Sequence, residues 1–384
     1  MEGQGRNFWL CCAITLSIFF LTSCGERVLA TGSSGPSVNG KQYLNLATAY
    51  AAGCPVVVPP GYTETLASNL VLSKPDCGFL FQGPATIKMG TNQIIVHQGI
   101  PGPFIIGYSP QGAIAQSGGV FSASGGVQFI YTGSGTAFVA GGAGVAPTSG
   151  LRLENFSIDL RGAASAAIGI NLLNVHGGGT IYGICIIGAG GSVSQVGLQT
   201  DDGGNFTGDI TVRDLQVFQT KTGVLLNGST EKVTFIGTII TTLATNGIGI
   251  DFEGDAENSA NTFYGGVCNP GTGIAVKFEG DSTANVVEMA IQGSPNISVS
   301  FGASATQNFV RYLGTSVPII SDSSNGSNTF VVGSETIPTS IFAHLGTPAN
   351  GVFRYCPDCA ITNPCAGRGT GALAKRLNGV WVCN

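Results

Sequence analysis

Charge is what this sequence has least of. Asp, Glu, Lys and Arg make up 10% of its residues, less than half of the roughly 25% usual in soluble domains. Lys and Arg number 16 against 21 Asp and Glu, a net charge of -5. The shortage of basic residues removes any footprint for tracking a phosphate backbone, so nucleic acid is excluded as a partner. Only three histidines occur, His97, His176 and His344, too scattered to form a metal cluster or a nucleophile and base set. The apolar stretch Leu10 to Leu21 is 12 residues long, too short to span a bilayer, which takes a helix of about 20. What the chain has in excess is glycine, 60 of 384 residues, roughly twice the usual share of about 7%. Together with 43% hydrophobic residues, that argues against disorder and for tightly turned β-structure.

The N-terminus reads as a targeting segment. Arg6 gives a thin positive region, Leu10 to Leu21 an apolar one, and small residues follow. Leu21-Thr22-Ser23-Cys24 resembles the bacterial lipobox, which implies lipidation of Cys24 and leaves 1–23 as a lipoprotein-type signal peptide. A rival cleavage site follows Val28-Leu29-Ala30. Either reading makes the protein exported, secreted or held in the cell envelope as an outer-membrane lipoprotein, touching membrane only through a lipid anchor. Export places the cysteines in an oxidising compartment, where disulfides are favoured. Cys54 and Cys77 flank one N-terminal segment, while Cys356, Cys359, Cys365 and Cys383 crowd the C-terminus. The last four have spacings that suit two disulfides or a zinc knuckle. Cys185 and Cys268 stand alone and read as buried thiols.

The central stretch repeats itself. Gly247-Ile248-Gly249-Ile250-Asp251-Phe252-Glu253-Gly254-Asp255 is answered by Gly273-Ile274-Ala275-Val276-Lys277-Phe278-Glu279-Gly280-Asp281. Such a period means that one supersecondary unit is stacked on itself. A Gly followed by alternating apolar residues recurs at Gly169, Gly197, Gly223, Gly247 and Gly273, with Asn296 continuing the series. Both residue types tolerate positive φ, so this position is expected to be a left-handed corner. A second series, Asn261, Asn285, Asn308 and Asn328, precedes further apolar strands. Two phase-locked series give two faces per coil, with a third to close it. Ile248, Ile250 and Phe252 are then expected to stack on Ile274, Val276 and Phe278 as core.

Along the chain, 24–40 reads as a flexible tether, 41–97 as an N-terminal cap with the first coils, 98–333 as the β-helix, and 334–384 as a linker with a small Cys-rich β-module. Lys41 to Ala52 has helical spacing, and Pro55-Val56-Val57-Val58-Pro59-Pro60-Gly61-Tyr62 is a strand stopped by a Pro-Gly turn. Asn378-Gly379 between apolar flanks signals a hairpin. A helix, this strand, and a ladder of short strands resemble the start of the pectin-lyase-like right-handed parallel β-helix proteins, which include pectate-lyase-superfamily and phage tailspike domains. That resemblance implies an all-β, single-stranded right-handed solenoid of roughly ten coils with a helix capping one end. The stretch from Gly367 to Trp381 is similar to the small β-modules that end phage tail-fibre proteins.

Outward positions of the coils carry the candidate sites. Asn171, Gln199, Asp201, Asn227, Asp251 and Lys277 form a polar strip. Asp201 and Asp251, placed at one coil position two turns apart, would be about 9 to 10 Å from each other, near the spacing of inverting glycosidases, with Asp202 assisting. Asn171, Gln199, Asn227 and Lys277 would contact substrate. Polygalacturonase-type relatives carry N-T-D, D-D, G-H-G and R-I-K motifs in that order. Here Asp201-Asp202 matches the D-D, His176-Gly177-Gly178 precedes it, and the other two motifs are missing. The acidic turns stack Glu253 over Glu279 and Asp255 over Asp281, like charges that a Ca²⁺ ion would relieve. Pectate lyases of the resembled family pair Ca²⁺ with an Arg base, and no Arg falls in these coils. The strip points to an exported, lipid-anchored surface protein that binds a polysaccharide or cell-surface glycan. A glycan hydrolase or lyase and a structural stalk or adhesin are the alternatives, and the tailspike resemblance implies a homotrimer.

Overall fold

The computed structural model describes residues 35–384, apart from 109–112, 118–119, 125, 145, 202–205, 242–244, 254–257, 315–317, 325, 334–341, 348–349 and 384. The signal segment and Cys24 lie outside the described residues, as do Asp202 and Asp255.

Each of the first six coils carries three strands, and from Thr234–Thr241 onward the first two faces run as one strand. The fourth coil is typical: Arg152–Glu154 on a first face, Phe156–Asp159 on a second, and Ile168–Leu173 on a third. Each strand pairs in parallel with its counterparts one coil before and after. The third face is one continuous sheet of 10 strands, from Leu70–Leu72 to Ile320–Asp322. This is the expected single-stranded parallel β-helix, with the expected number of coils and the third face that closes them.

Alternation sends one set of side chains inward along every strand. On the third face Val224, Ile250, Val276 and Val299 form one inner column, and Leu226, Phe252, Phe278 and Phe301 the next. The rings of Phe252 and Phe278 stack with centroids 4.5 Å apart, and those of Phe278 and Phe301 at 5.1 Å. The expected core is there, except that Ile248 and Ile274 are half-buried at the strand starts.

The corners differ from expectation. Gly169, Gly197 and Gly223 have no positive φ and lie inside strands. In register they continue into Gly249, not Gly247. These glycines are required because the second face packs against them. A Cβ on Gly249 would stand 2.2 Å from Cys268 Sγ, and one on Gly223 2.3 Å from Ile240 Cγ2. The left-handed corners are elsewhere, at Asn155, Gly183, Asp214 and Gly237 between the first two faces, and at Ala260, Ala284 and Gln307 just ahead of the asparagine series. Asn261, Asn285 and Asn308 are buried, Asn328 is half-buried, and the four ladder from coil to coil. Asn285 Nδ2 donates to Asn258 O and to Asn308 Oδ1, both at 3.0 Å, while its own Oδ1 accepts from the backbone and side chain of Asn261.

The N-terminal end is closed by the helix Leu46–Ala52, which Asn45 caps in a reciprocal pair with Thr48. It is shorter than the expected Lys41 to Ala52, because Lys41–Gln42 pairs with Ser37–Val38 across Asn39-Gly40. Both turn residues have positive φ, as a tight hairpin demands, so part of the expected tether is ordered. A second hairpin, Ala113–Ser117 with Val120–Ser124, is inserted between the first and second faces of the third coil. The C-terminal module is a three-stranded antiparallel sheet of Phe353–Cys356, Ala372–Leu377 and Val380–Cys383, with the expected Asn378-Gly379 hairpin. Its core holds the disulfides Cys356–Cys359 and Cys365–Cys383, and Cys54–Cys77 joins the first coils. Disulfide pairing removes the zinc-knuckle alternative, since no thiolate remains to ligate metal. Cys185 and Cys268 are free and buried.

Candidate functional site

The outer columns of the third face gather most of the sequence-derived candidates. In register, Asn171 lies beside Gln199, Gln199 beside Leu225, Leu225 beside Asp251, Asp251 beside Lys277, and Lys277 beside Ser300. A sheet spacing of 4.7–4.9 Å puts about 19 Å between the first residue and Lys277. The next outer column holds Asp201, opposite Leu173, and Asn227, opposite Glu253. Glu279 follows Glu253, its N–H donating to Phe252 O one coil back. The Glu253 over Glu279 stacking is therefore present. Asp201 and Asp251, in contrast, stand in neighbouring columns and not at one coil position. The expected one-column pair is corrected by the register, in which Gly249 and not Gly247 continues the glycine series.

Asp251 is the most unusual group on this face. It is 5% exposed, although it projects from the outer side of the sheet. Lys277 Nζ lies 3.8 Å from its Oδ2 and 2.6 Å from Glu279 Oε2. Lys277 is therefore shared, with its shorter contact to Glu279. Oδ1 of Asp251 has no hydrogen-bond partner among the described residues. Burial pushes its pKa up to about 7, Lys277 pulls against that, and Glu279 and Glu253 push it further up. Three coils earlier in the same column, Asn171 is also buried, and its Oδ1 is likewise unpartnered among the described residues. Gln199 and Lys277 are half-buried, as is Asn227, whose Oδ1 accepts from the N–H of Gly228 at 3.0 Å.

The acidic turns do not assemble a cation site from the described residues. Glu253 and Asp281 are exposed, and Glu279 is engaged by Lys277. Among the described residues only Cys356, Asp358 and Cys359 come close enough together for three metal ligands, and the two cysteines are disulfide-bonded. Asp255 and Asp202 lie outside the described residues. His176 packs against Phe206 with ring centroids 5.4 Å apart.

Sequence reasoning did not single out a second concave region. A groove of about 360 Å³ is lined by Gly61, Tyr62, Thr63, Pro84, Ala85, Thr86, Gly126, Gln128 and Ser157. Its polar side chains form an outer column of the second face, Thr63 beside Thr86, Thr86 beside Gln128, and Gln128 beside Ser157. Their coils are not evenly spaced in the sequence, because the inserted hairpin lengthens one of them. A repeat search therefore passes over the column.

No protein-family model matches the chain, and no curated protein does. Among solved structures it is similar to the A-module of a mannuronan C-5 epimerase from Azotobacter vinelandii, at 10% identity and a TM-score of 0.33, over 75% of this chain and 91% of that one. It is also similar to the receptor-binding domain of the siphovirus 9NA tailspike, at 10% identity and a TM-score of 0.26, over 88% and 86% of the two chains. A third is the ORF18 protein of Geobacillus virus E2, at 12% identity and a TM-score of 0.28, over 76% and 61%.

Proposed function

We propose that the chain binds an extended glycan lengthwise along its third face, through the column of Asn171, Gln199, Asp251, Lys277 and Ser300. One observation carries this reading. Two buried side-chain oxygens in that column, on Asn171 and Asp251, lack partners among the described residues. Buried polar atoms are rarely left unsatisfied. A polyhydroxyl chain running along the solenoid axis offers donors at each coil, and would supply the missing bonds once the half-buried side chains of Gln199 and Lys277 beside these oxygens turn aside. The same reading takes the protein as exported and held at the cell envelope by a lipid on Cys24, as its N-terminal segment suggests. Mass spectrometry of the mature N-terminus tests that part, with a lipidated Cys24 expected and a chain beginning after Ala30 contrary.

Binding is tested by isothermal titration of the full chain with a panel of neutral and acidic polysaccharides. At least one is expected to bind, and Asn171→Ala or Asp251→Ala is expected to weaken it tenfold or more. Silence across the panel, or binding indifferent to both substitutions, contradicts the reading.

A second reading is favoured by Asp251 alone. A carboxyl that keeps its proton to about pH 7 beside other carboxylates is the arrangement from which general acids are made. Asp251 and Glu253 point the same way from one strand, with Cα atoms roughly 6.5–7 Å apart. If this face cleaves a glycosidic bond, Asp251 protonates the leaving oxygen while Glu253 activates water. Reducing-end release should then fall as pH rises through about 7 and vanish in Asp251→Asn. Activity that survives the substitution rules out the assignment.

A further inference from the structure

We infer that the groove on the second face is a separate binding site for a short neutral sugar, one or two rings in size. Four features of the lining lead to this class of ligand. The groove, at about 360 Å³, falls near the small end of the ~300–1,000 Å³ range of small-molecule sites. It is concave because its rim residues Gly61, Gly126 and Pro84, which precede the strands of three successive coils, leave room that longer side chains would fill. The polar groups open to a ligand are two threonine hydroxyls and the amide of Gln128, which donate and accept at closely spaced points. The Ser157 hydroxyl at the end of the column is buried and donates to Val127 O at 3.3 Å. No carboxylate, ammonium or guanidinium lines it.

The carboxylates near the groove are already engaged, and the cation nearest to it, Lys88, stands exposed two residues beyond Thr86 on the same strand, outside the lining. Glu64 accepts from the Tyr62 hydroxyl at 2.7 Å and from the N–H of Leu46 at 3.0 Å. Asp159 is held by Arg161 at 2.6 Å. An acidic sugar entering here would therefore lose hydration against an uncharged lining, with only the solvated ammonium of Lys88 beside it, and exposed ion pairs contribute little. The site also has a distinctive position. Gly126 follows directly on the inserted hairpin, so the groove opens at the root of the one long insertion among the described corners of these coils. Surface insertions on a rigid scaffold are where binding is usually found.

This site is independent of the third face, and its test is separate. Saturation-transfer NMR and titration would use the full chain with cellobiose, maltose and lactose, and with digalacturonate as the charged probe. At least one neutral disaccharide is expected to bind, with digalacturonate at least tenfold weaker. Thr86→Lys, which fills the groove, and Gln128→Ala, which only shortens one side chain, are each expected to weaken the sugar tenfold or more at an unchanged unfolding midpoint. Tyr264→Ser, on an exposed position of another face, should leave it intact. Absence of any neutral-sugar signal, binding that survives both groove substitutions, or preference for digalacturonate would each overturn the inference.

Discussion

At the residue scale, Asp251 concentrates the physical tension of the third face. A carboxylate shielded from water costs free energy unless its charge is met, and its nearest cation is nearer to Glu279. The folded chain therefore keeps the proton to about pH 7, whereas the free carboxyl releases it near 3.8. Between those values the folded state binds more protons than the unfolded one, so stability falls as pH rises through this window. A shift of that size corresponds to something on the order of 4 kcal/mol. Asp251→Asn should flatten the decline and raise the unfolding midpoint at pH 8 above that of the parent chain. Parallel pH profiles for the two proteins would show that the proton is not held. The sequence could place Asp251 on the outer side of a strand, because alternation fixes the side. Its burial was not legible, since that depends on which residues of adjacent coils stand next to it.

At the scale of the element, the stacking register decides which residues become neighbours. Side chains alternate with a period of two, so aligning the repeats two residues out keeps every inward residue inward. That is why the core of Phe252, Phe278, Val224 and Leu226 was legible from the sequence while the pairing of Asp201 with Asp251 was not. Gly247 and Gly249 both fit the repeat, and it is the close approach of Cys268 Sγ and of Ala275 O that selects Gly249. Gly249→Ala is accordingly expected to destabilise the coil by about 2 kcal/mol or more, with partial recovery when Cys268→Ala is added. Absence of recovery would place the strain elsewhere. The asparagine series was visible as a period, but its hydrogen bonds require the third dimension. Asn285→Ala strands donors or acceptors on Asn258, Asn261 and Asn308 in a buried site, at roughly 1–3 kcal/mol for each unsatisfied group. Asn328, at the half-buried end of the ladder, should cost distinctly less when replaced by Ala. Equal losses in denaturant titrations would mean that the ladder is not cooperative.

At the scale of the whole molecule, the long solenoid and the C-terminal module keep separate hydrophobic cores. The small core is built around its cysteines, so its order rests on the cross-links. The first coils, by contrast, bury Cys77 within a continuous core that extends through the solenoid. Reduction under native conditions should expose residues 350–384 to proteolysis while the solenoid resists. Cleavage beginning in the solenoid would contradict that division. The repeat was legible from glycine and asparagine, and disulfides were expected from the number and placement of the cysteines. Which C-terminal cysteines pair, with zinc as the alternative, stayed open until the structure paired Cys356 with Cys359 and Cys365 with Cys383. The short hairpin at Asn39-Gly40 carried the same signal as Asn378-Gly379 but lay in a stretch whose Gly and Ser content reads as tether. The groove had no repeat signal at all.

The central claim is that a glycan lies along the solenoid and spans successive coils. Its most direct test is the affinity of the full chain for a length series of one bound oligosaccharide. Affinity is expected to climb with each added sugar until the ligand covers the column, about 19 Å from Asn171 to Lys277, and then to level off. An affinity already at its plateau with a mono- or disaccharide would contradict an extended site on the third face.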